Sequence, residues 1–353
     1  MEASPLLLVV ADTASQRRRL TQAVLERCDR RGQPVAVIDL AGDLILSGPQ
    51  QSLLRYDPEA WADTIWQGLL PALAPWFALL ELDAVAGERP CLGAVPGLGT
   101  VLRALYLAES WQALQAERAL VVVMPSLDQT TEILQLLRRG PELLEGLWSP
   151  LLLWWSQTRQ RLAQFELVLR LRLPDADSLA LSPLWRSRLQ DLAQRLHQLV
   201  EPVEAVVALT ADAEDLPLLQ GRVAALALCG LAQPRLWLEG ELEPSGCDPF
   251  IARWGLPILL GRATPPHPLA FEPWLAQPLR AETCCWLDAP DGCRCRLLLP
   301  GLVREGLRVR QVEGQLLIRS GGVQLDVPLP RARAQLTCRS ARIDSPWLEI
   351  GLS

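Results

Sequence analysis

The chain contains no lysine; all 34 of its basic residues are arginine. That excludes any nucleotide site that relies on a lysine ammonium to reach the β and γ phosphates. Histidine is almost as rare, with 2 residues. His197 falls on a polar helical face and His267 in a proline-rich stretch, and no third ligand lies near either in sequence. Neither is assigned a catalytic or metal role. No G-x-S-x-G and no Ser–His–acid order is present, which removes the common hydrolase signatures. Tyrosine and phenylalanine are scarce, at 2 and 4 residues. There is no basic stripe with interleaved aromatics, and 40 acidic residues outweigh the basic ones to give a net charge of −6. Nucleic acid is therefore not the expected partner. The most apolar stretch, Leu147 to Trp155, falls far short of the roughly 20 residues that span a bilayer, so no transmembrane segment is expected. The start, Met-Glu-Ala-Ser-Pro, lacks the positive charge of a signal peptide, and the apolar run Leu6–Ala11 is too short for one.

Cysteine is present in odd number, with 9 residues. Without a secretory signal the expected compartment is reducing and cytoplasmic, and the thiols are expected to be free. Cys284-Cys285 and Cys293-x-Cys295 place four thiols close together. Structural zinc favours pairs separated by two to four residues, and adjacent cysteines point to opposite faces of a strand. No metal site is predicted.

Half of the residues are hydrophobic, enough for a sizeable core, and the length of 353 residues suits two or three domains. Leu6–Val10, Pro34–Leu40, Ala119–Met124, Ala205–Thr210 and Pro234–Glu239 are short continuous apolar runs. Such runs fit strands buried on both faces, and a further short strand is read at Ile258–Leu260. Between them lie helical patterns at 16–30, 51–85, 99–116, 129–138, 182–200 and 213–231. Strands alternating with helices predict an α/β domain with a mostly parallel sheet. Beyond about residue 280 the pattern changes to alternating runs: Cys293–Leu299, Leu307–Val312, Gln315–Arg319, Val323–Pro328, Gln335–Arg339 and Trp347–Ile350. These predict a small all-β sandwich. The expected domains are 1–280 and 281–353.

Two features carry a family resemblance. The segment from Pro300-Gly301-Leu302-Val303 through LRVRQVEGQLLIRSGGVQLDVPLP to Arg342-Ile343-Asp344 and WLEIGL resembles an α-crystallin (small heat-shock protein) domain. The first 280 residues resemble the P-loop ATPase domain of the ArsA family, which includes arsenite-pump ATPases and targeting factors for tail-anchored proteins. The likeness is to the cyanobacterial and plastid branch that carries a crystallin-like tail. LGAVPGLGTVLRAL (Leu92–Leu105), Ile133–Leu143 and Leu152–Arg161 are similar to segments of that branch. The resemblance implies a P-loop NTPase-like sheet, ATP hydrolysis with magnesium, and client binding.

The family's glycine- and lysine-rich phosphate loop should follow the first strand. That place reads Ala11-Asp12-Thr13-Ala14-Ser15-Gln16-Arg17-Arg18-Arg19, with no glycine and no lysine. The expected carboxylate after the third strand is replaced by Met124-Pro125-Ser126-Leu127, with Asp128 beyond it. The switch acid would be Asp39 or Asp43. Asp12, Ser15, Gln16, Arg17, Arg18 and Asp39 therefore mark a degenerate nucleotide or anion site, read against a solvated arginine face and a turn-capping Asp39. No catalytic residue is assigned. The apolar cluster Trp148, Leu152, Trp154, Trp155 and Phe165 is read as a client or dimer surface, or else as ordinary core. The expected protein is a non-catalytic, ArsA-like pseudo-ATPase without cofactor, a chaperone-like or targeting factor for a protein client. The alternatives are an unorthodox ATPase that binds adenine nucleotide with magnesium, and a structural dimer partner of an active paralogue. A monomer or homodimer is expected rather than a large assembly.

Overall fold

The structure is a computed structural model. It describes residues 6–45, 52–79, 98–114, 119–139, 203–211, 216–240, 252–261, 268–279, 282–289 and 292–353. Trp148, Leu152, Trp154, Trp155 and Phe165 lie outside the described residues, as do His197 and His267.

A seven-stranded sheet forms the centre of the described residues, in the order β3-β2-β4-β1-β5-β6-β7. Its strands are β1 (Leu6–Ala11), β2 (Val35–Asp39), β3 (Ser52–Arg55), β4 (Ala119–Val123), β5 (Val203–Thr210), β6 (Arg235–Glu239) and β7 (Ile258–Gly261). Every pairing from β2 through β7 is parallel. The interior strands read as unbroken apolar runs because both of their faces are buried. Val9, Val10, Ala36, Val37, Val122 and Val206 are fully buried. α1 (Ala14–Arg30) lays Leu20, Val24 and Leu25 on one face. α6 (Pro268–Leu275) brings Phe271, Trp274 and Leu275 into the same cluster. Complete burial of each such side chain is worth about 1.5–3 kcal/mol.

Further α-helices among the described residues are α2 (Pro58–Leu79), α3 (Leu98–Leu114), α4 over 127–139 and α5 (Leu216–Leu228). The chain divides into two compact units. One comprises Met1–Leu54, Leu114–Gln135 and Pro202–Ser353; the other comprises Arg55–Ala113 and Leu136–Glu201. The second unit holds α2 and α3 around an aromatic cluster. Tyr106 meets Tyr56 and Trp61 edge to face, each at 5.3 Å. The Trp61 indole N–H donates to the Leu102 carbonyl at 2.9 Å, which joins the two helices.

The first unit also contains seven antiparallel strands. β10 (Arg308–Val312), β11 (Gln315–Ser320) and β12 (Val323–Pro328) form one sheet. β13 (Cys338–Asp344), β14 (Trp347–Leu352), β9 (Gly292–Leu298) and β8 (Cys284–Ala289) form the other, in that order. Alternation buries Leu316, Ile318, Val323 and Val327 in the first sheet, and Cys293, Cys295, Leu297, Leu348, Ile350 and Leu352 in the second. The Gln311 amide ties the two sheets: its Nε2 donates to the Leu336 carbonyl at 2.6 Å and its Oε1 accepts from the Cys338 N–H at 2.8 Å. Gly321-Gly322, both at positive φ, closes the tight turn expected between β11 and β12.

Four elements depart from the sequence reading, among them β8, a strand where none was read. β3 is a strand where the Trp-rich pattern predicted helix from residue 51. α6 forms inside a Pro/Gly-rich segment that predicted none. Proline suits its first position, and the burial of three large side chains outweighs Pro273 within the helix. β13 begins at Cys338 rather than Gln335, and its residues are mostly exposed because it is an edge strand.

Candidate functional site

In an open parallel sheet, ligands bind where strand order reverses, outside the carboxyl ends of the strands. Here that point lies between β1, whose chain leaves toward β2, and β5, whose chain leaves toward β6. Every residue of the sequence-predicted nucleotide or anion site lies at the carboxyl end of a strand or in the first turns of α1.

The link from β1 to α1 is only Asp12 and Thr13. Thr13 is extended, at φ −117 and ψ 153. Among the described residues, positive φ is confined to glycines and Glu313, so no residue of this link adopts it. A phosphate-cradling nest needs alternating backbone hands, and this link has none. The first turn of α1 is closed by its own side chains. The Thr13 hydroxyl accepts from the Gln16 N–H at 3.2 Å, and Gln16 Oε1 accepts from the Thr13 N–H at 3.1 Å. This capping box satisfies amides that an anion would otherwise engage.

The structure pairs the candidate residues internally. Asp12 Oδ2 accepts from the Thr210 N–H and from Arg222 Nη1, both at 2.9 Å. The chain's own carboxylate thus sits where a phosphate would need to approach. Gln16 is 1% exposed, and its Nε2 donates to Glu239 Oε2 at 2.8 Å. Arg19 reaches the other oxygen of Glu239 at 3.2 Å. Arg17 turns inward, donating to the Ala11 carbonyl at 3.1 Å and forming a close ion pair with Asp43. Ser15 and Arg18 are exposed on the outer face of α1. Asp39 is fully buried at the end of β2. Its Oδ1 accepts from the Ala41 and Gly42 N–H groups at 3.1 and 3.0 Å, and its Oδ2 from Leu44 at 2.9 Å.

A cavity of about 380 Å³ remains beside Asp12. Ser126, Asp128, Thr210 and Arg222 supply its polar walls and Leu218 and Leu219 its apolar ones. Two carboxylates face a single guanidinium there, and that guanidinium is already bound to Asp12. The local charge therefore opposes a polyphosphate.

Thr210, Arg222 and Glu239 complete this network and were not singled out from the sequence. They lie about two hundred residues from α1; Thr210 and Glu239 end apolar strand runs, and Arg222 sits within α5 with no signal in sequence. Among the described residues no group of three or more His, Cys, Asp or Glu could hold a metal ion. No described helix is long and apolar enough to cross a membrane.

Fold and site define an α/β protein in which polar side chains at the sheet's carboxyl end pair with one another. No protein-family model matches the chain, and a search of curated proteins finds no significant match.

Proposed function

We propose that this chain is a pseudo-ATPase of the ArsA type: a P-loop-like α/β domain that has lost phosphate chemistry, joined to a crystallin-like β-sandwich, and acting as a protein-binding factor. The observation that carries the first half is the two-residue β1–α1 link whose Asp12 carboxylate is held by Thr210 and Arg222. Phosphoryl transfer needs positioned cations and Mg²⁺ around the phosphates. Here the loop glycines and the lysine are missing, Arg17 is neutralised by Asp43, and Arg222 is neutralised by Asp12. The protein-binding half rests on the resemblance of Leu92–Leu105 and of the strands after residue 300 to client-handling proteins. The edge strands β8, β10, β12 and β13 offer backbone groups for pairing with another chain, a recurrent mode of peptide capture.

The test is Mg-ATP turnover and calorimetry on the purified chain. Phosphate release is expected at the buffer rate, and any binding is expected in the millimolar range or weaker, about −4 kcal/mol. Micromolar binding that is lost in Arg18→Ala and Arg222→Ala would overturn the proposal in favour of an unorthodox ATPase.

A further inference from the structure

A second cavity, about 180 Å³ in volume, lies at the opposite, amino-terminal end of the parallel sheet. Its polar walls come from the end of α1 (Arg27, Cys28, Arg31 and, just beyond, Gln33), from Glu204 at the start of β5, and from Arg235, which opens β6. Three guanidiniums therefore line a cavity with one carboxylate.

Arg235 is 6% exposed. Its Nη1 donates to Glu204 Oε2 at 2.9 Å and its Nη2 to the Gln277 carbonyl at 3.0 Å. Its Nε is buried and has no acceptor among the described residues. A buried donor without an acceptor is uncommon in a folded protein and calls for a ligand or water oxygen. Arg27 and Arg31 are four residues apart at the end of α1, so they share a face. Neither makes a side-chain hydrogen bond or ion pair among the described residues. Arginines at a helix end often serve the terminal carbonyls. These carbonyls are already served by the main chain: the Arg31 N–H donates to Arg27 at 3.2 Å, Gly32 to Asp29 at 2.9 Å and Gln33 to Cys28 at 3.0 Å.

Charge balance agrees with this geometry. Glu204 is half-exposed and committed to Arg235, while Glu272 pairs with Arg30 at 3.0 Å. Arg27 is held below the ordinary arginine range by burial first and then by the Arg31 charge; Glu272 and Glu204 pull it up, and Arg235 pulls it down. Burial pushes the Cys28 thiol up despite Arg27 and Arg31, so it stays neutral and adds no negative charge to the wall.

We propose that this cavity binds a doubly charged oxyanion of phosphate size, either free or as the end group of a small molecule, between the Arg27 and Arg31 guanidiniums and the Arg235 Nε–H. Guanidinium forks match the oxygen spacing of phosphoryl and sulfuryl groups, and more than one donor can engage the same group. The cavity has room for such a group with a small attachment. It stands at the other end of the sheet from the Asp12 crevice, so it holds whether or not the pseudo-ATPase reading does.

The experiment is calorimetry of the full chain with inorganic phosphate and with phenyl phosphate, at ionic strength held constant with sodium chloride. Saturable binding at one site is expected. Arg27→Ala with Arg31→Ala should weaken it at least ten-fold, and Arg310→Ala, on a distant edge strand, should leave it unchanged. Phosphate should also slow alkylation of Cys28 in the wild type and raise its melting temperature, and do neither in the double variant. If the double variant fails to fold, Arg31→Ala alone gives the same reading, because Arg31 is exposed. Tighter binding of phenyl phosphate identifies the end group of a larger ligand; equal binding identifies the free anion. The proposal fails if phosphate has no more effect than chloride at equal ionic strength, or if the arginine variants bind within two-fold of the wild type.

Discussion

At the scale of single residues, the carboxylates of the sheet's carboxyl end hold structure rather than wait for a substrate. Asp39 is the clearest case, since its two oxygens accept three backbone N–H groups and its surroundings exclude water. Asp39→Ala strands those donors and should lower unfolding free energy by about 3 kcal/mol or more, read by urea denaturation. An unchanged denaturation midpoint would show that the 41–44 turn does not depend on it. Among the described thiols, Cys284 is the one lowered well below the ordinary value of 9.0, to about 7, because the Cys295 thiol donates a hydrogen bond to it, against an opposing effect of burial. Cys295 is correspondingly raised by the same bond, by burial and by neighbouring thiols. Between about pH 7 and the ordinary thiol value, native Cys284 has lost its proton while the unfolded chain keeps it. Its contribution to stability is therefore present above the unfolded value and disappears as pH falls through about 7. The direct readout is iodoacetamide modification followed by mass spectrometry. Cys284 should be half-maximally reactive near pH 7, and Cys295→Ala should move that midpoint upward. A midpoint that stays put in the variant removes the hydrogen bond as the cause.

At the scale of elements, one glycine lets the chain beyond β9 approach the backbone of α5. Gly301 has φ +77, and a Cβ there would lie 2.6 Å from the Gln220 carbonyl and 3.0 Å from the Ala224 nitrogen. Both obstacles are helix backbone and cannot swing aside. Gly301→Ala should destabilise the protein by about 2–3 kcal/mol, from strained backbone and lost helix packing together. Thermal unfolding followed by circular dichroism decides it; a melting temperature within a degree of wild type refutes the close approach. Most elements were legible in advance. β1, β2, β4, β5 and β6 announce themselves as apolar runs because both their faces are covered. β9, β11, β12 and β14 announce themselves by alternation because one face is. The strands missed or shifted, β3, β8 and β13, are edge strands, where half of the pairing is absent and exposed polar residues erase the period.

At the scale of the whole chain, the strands after residue 292 belong to the same compact unit as the parallel sheet. β11 and β12 pack on α5, whose Val223 and Ala224 are buried. Removing residues 281–353 should therefore expose that helix face. The fragment 1–280 is expected to melt several degrees below the full chain or to aggregate, since an uncovered apolar helix face drives association. A fragment that melts at the full-chain temperature would show that the contact contributes nothing.

The sequence by itself determined the layered α/β architecture, the change to antiparallel strands near residue 280, and the absence of lysine and glycine from the stretch after the first strand. Periodicity and composition are local properties, so they can be read along the chain. Only the tertiary structure decided how the polar residues at the sheet's carboxyl end are partnered. Asp12 with Thr210 and Arg222, Glu239 with Gln16 and Arg19, and Arg17 with Asp43 satisfy one another once the chain folds, and Asp12, Gln16, Arg17 and Asp43 look like available functional groups until their partners are known. The same holds for the cavity at the other end of the sheet. Arg27 and Arg31 read as a solvated helix end until Arg235, about two hundred residues away, is brought beside them with its Nε unanswered. Charge pairing and burial are properties of contacts, and sequence separation hides them.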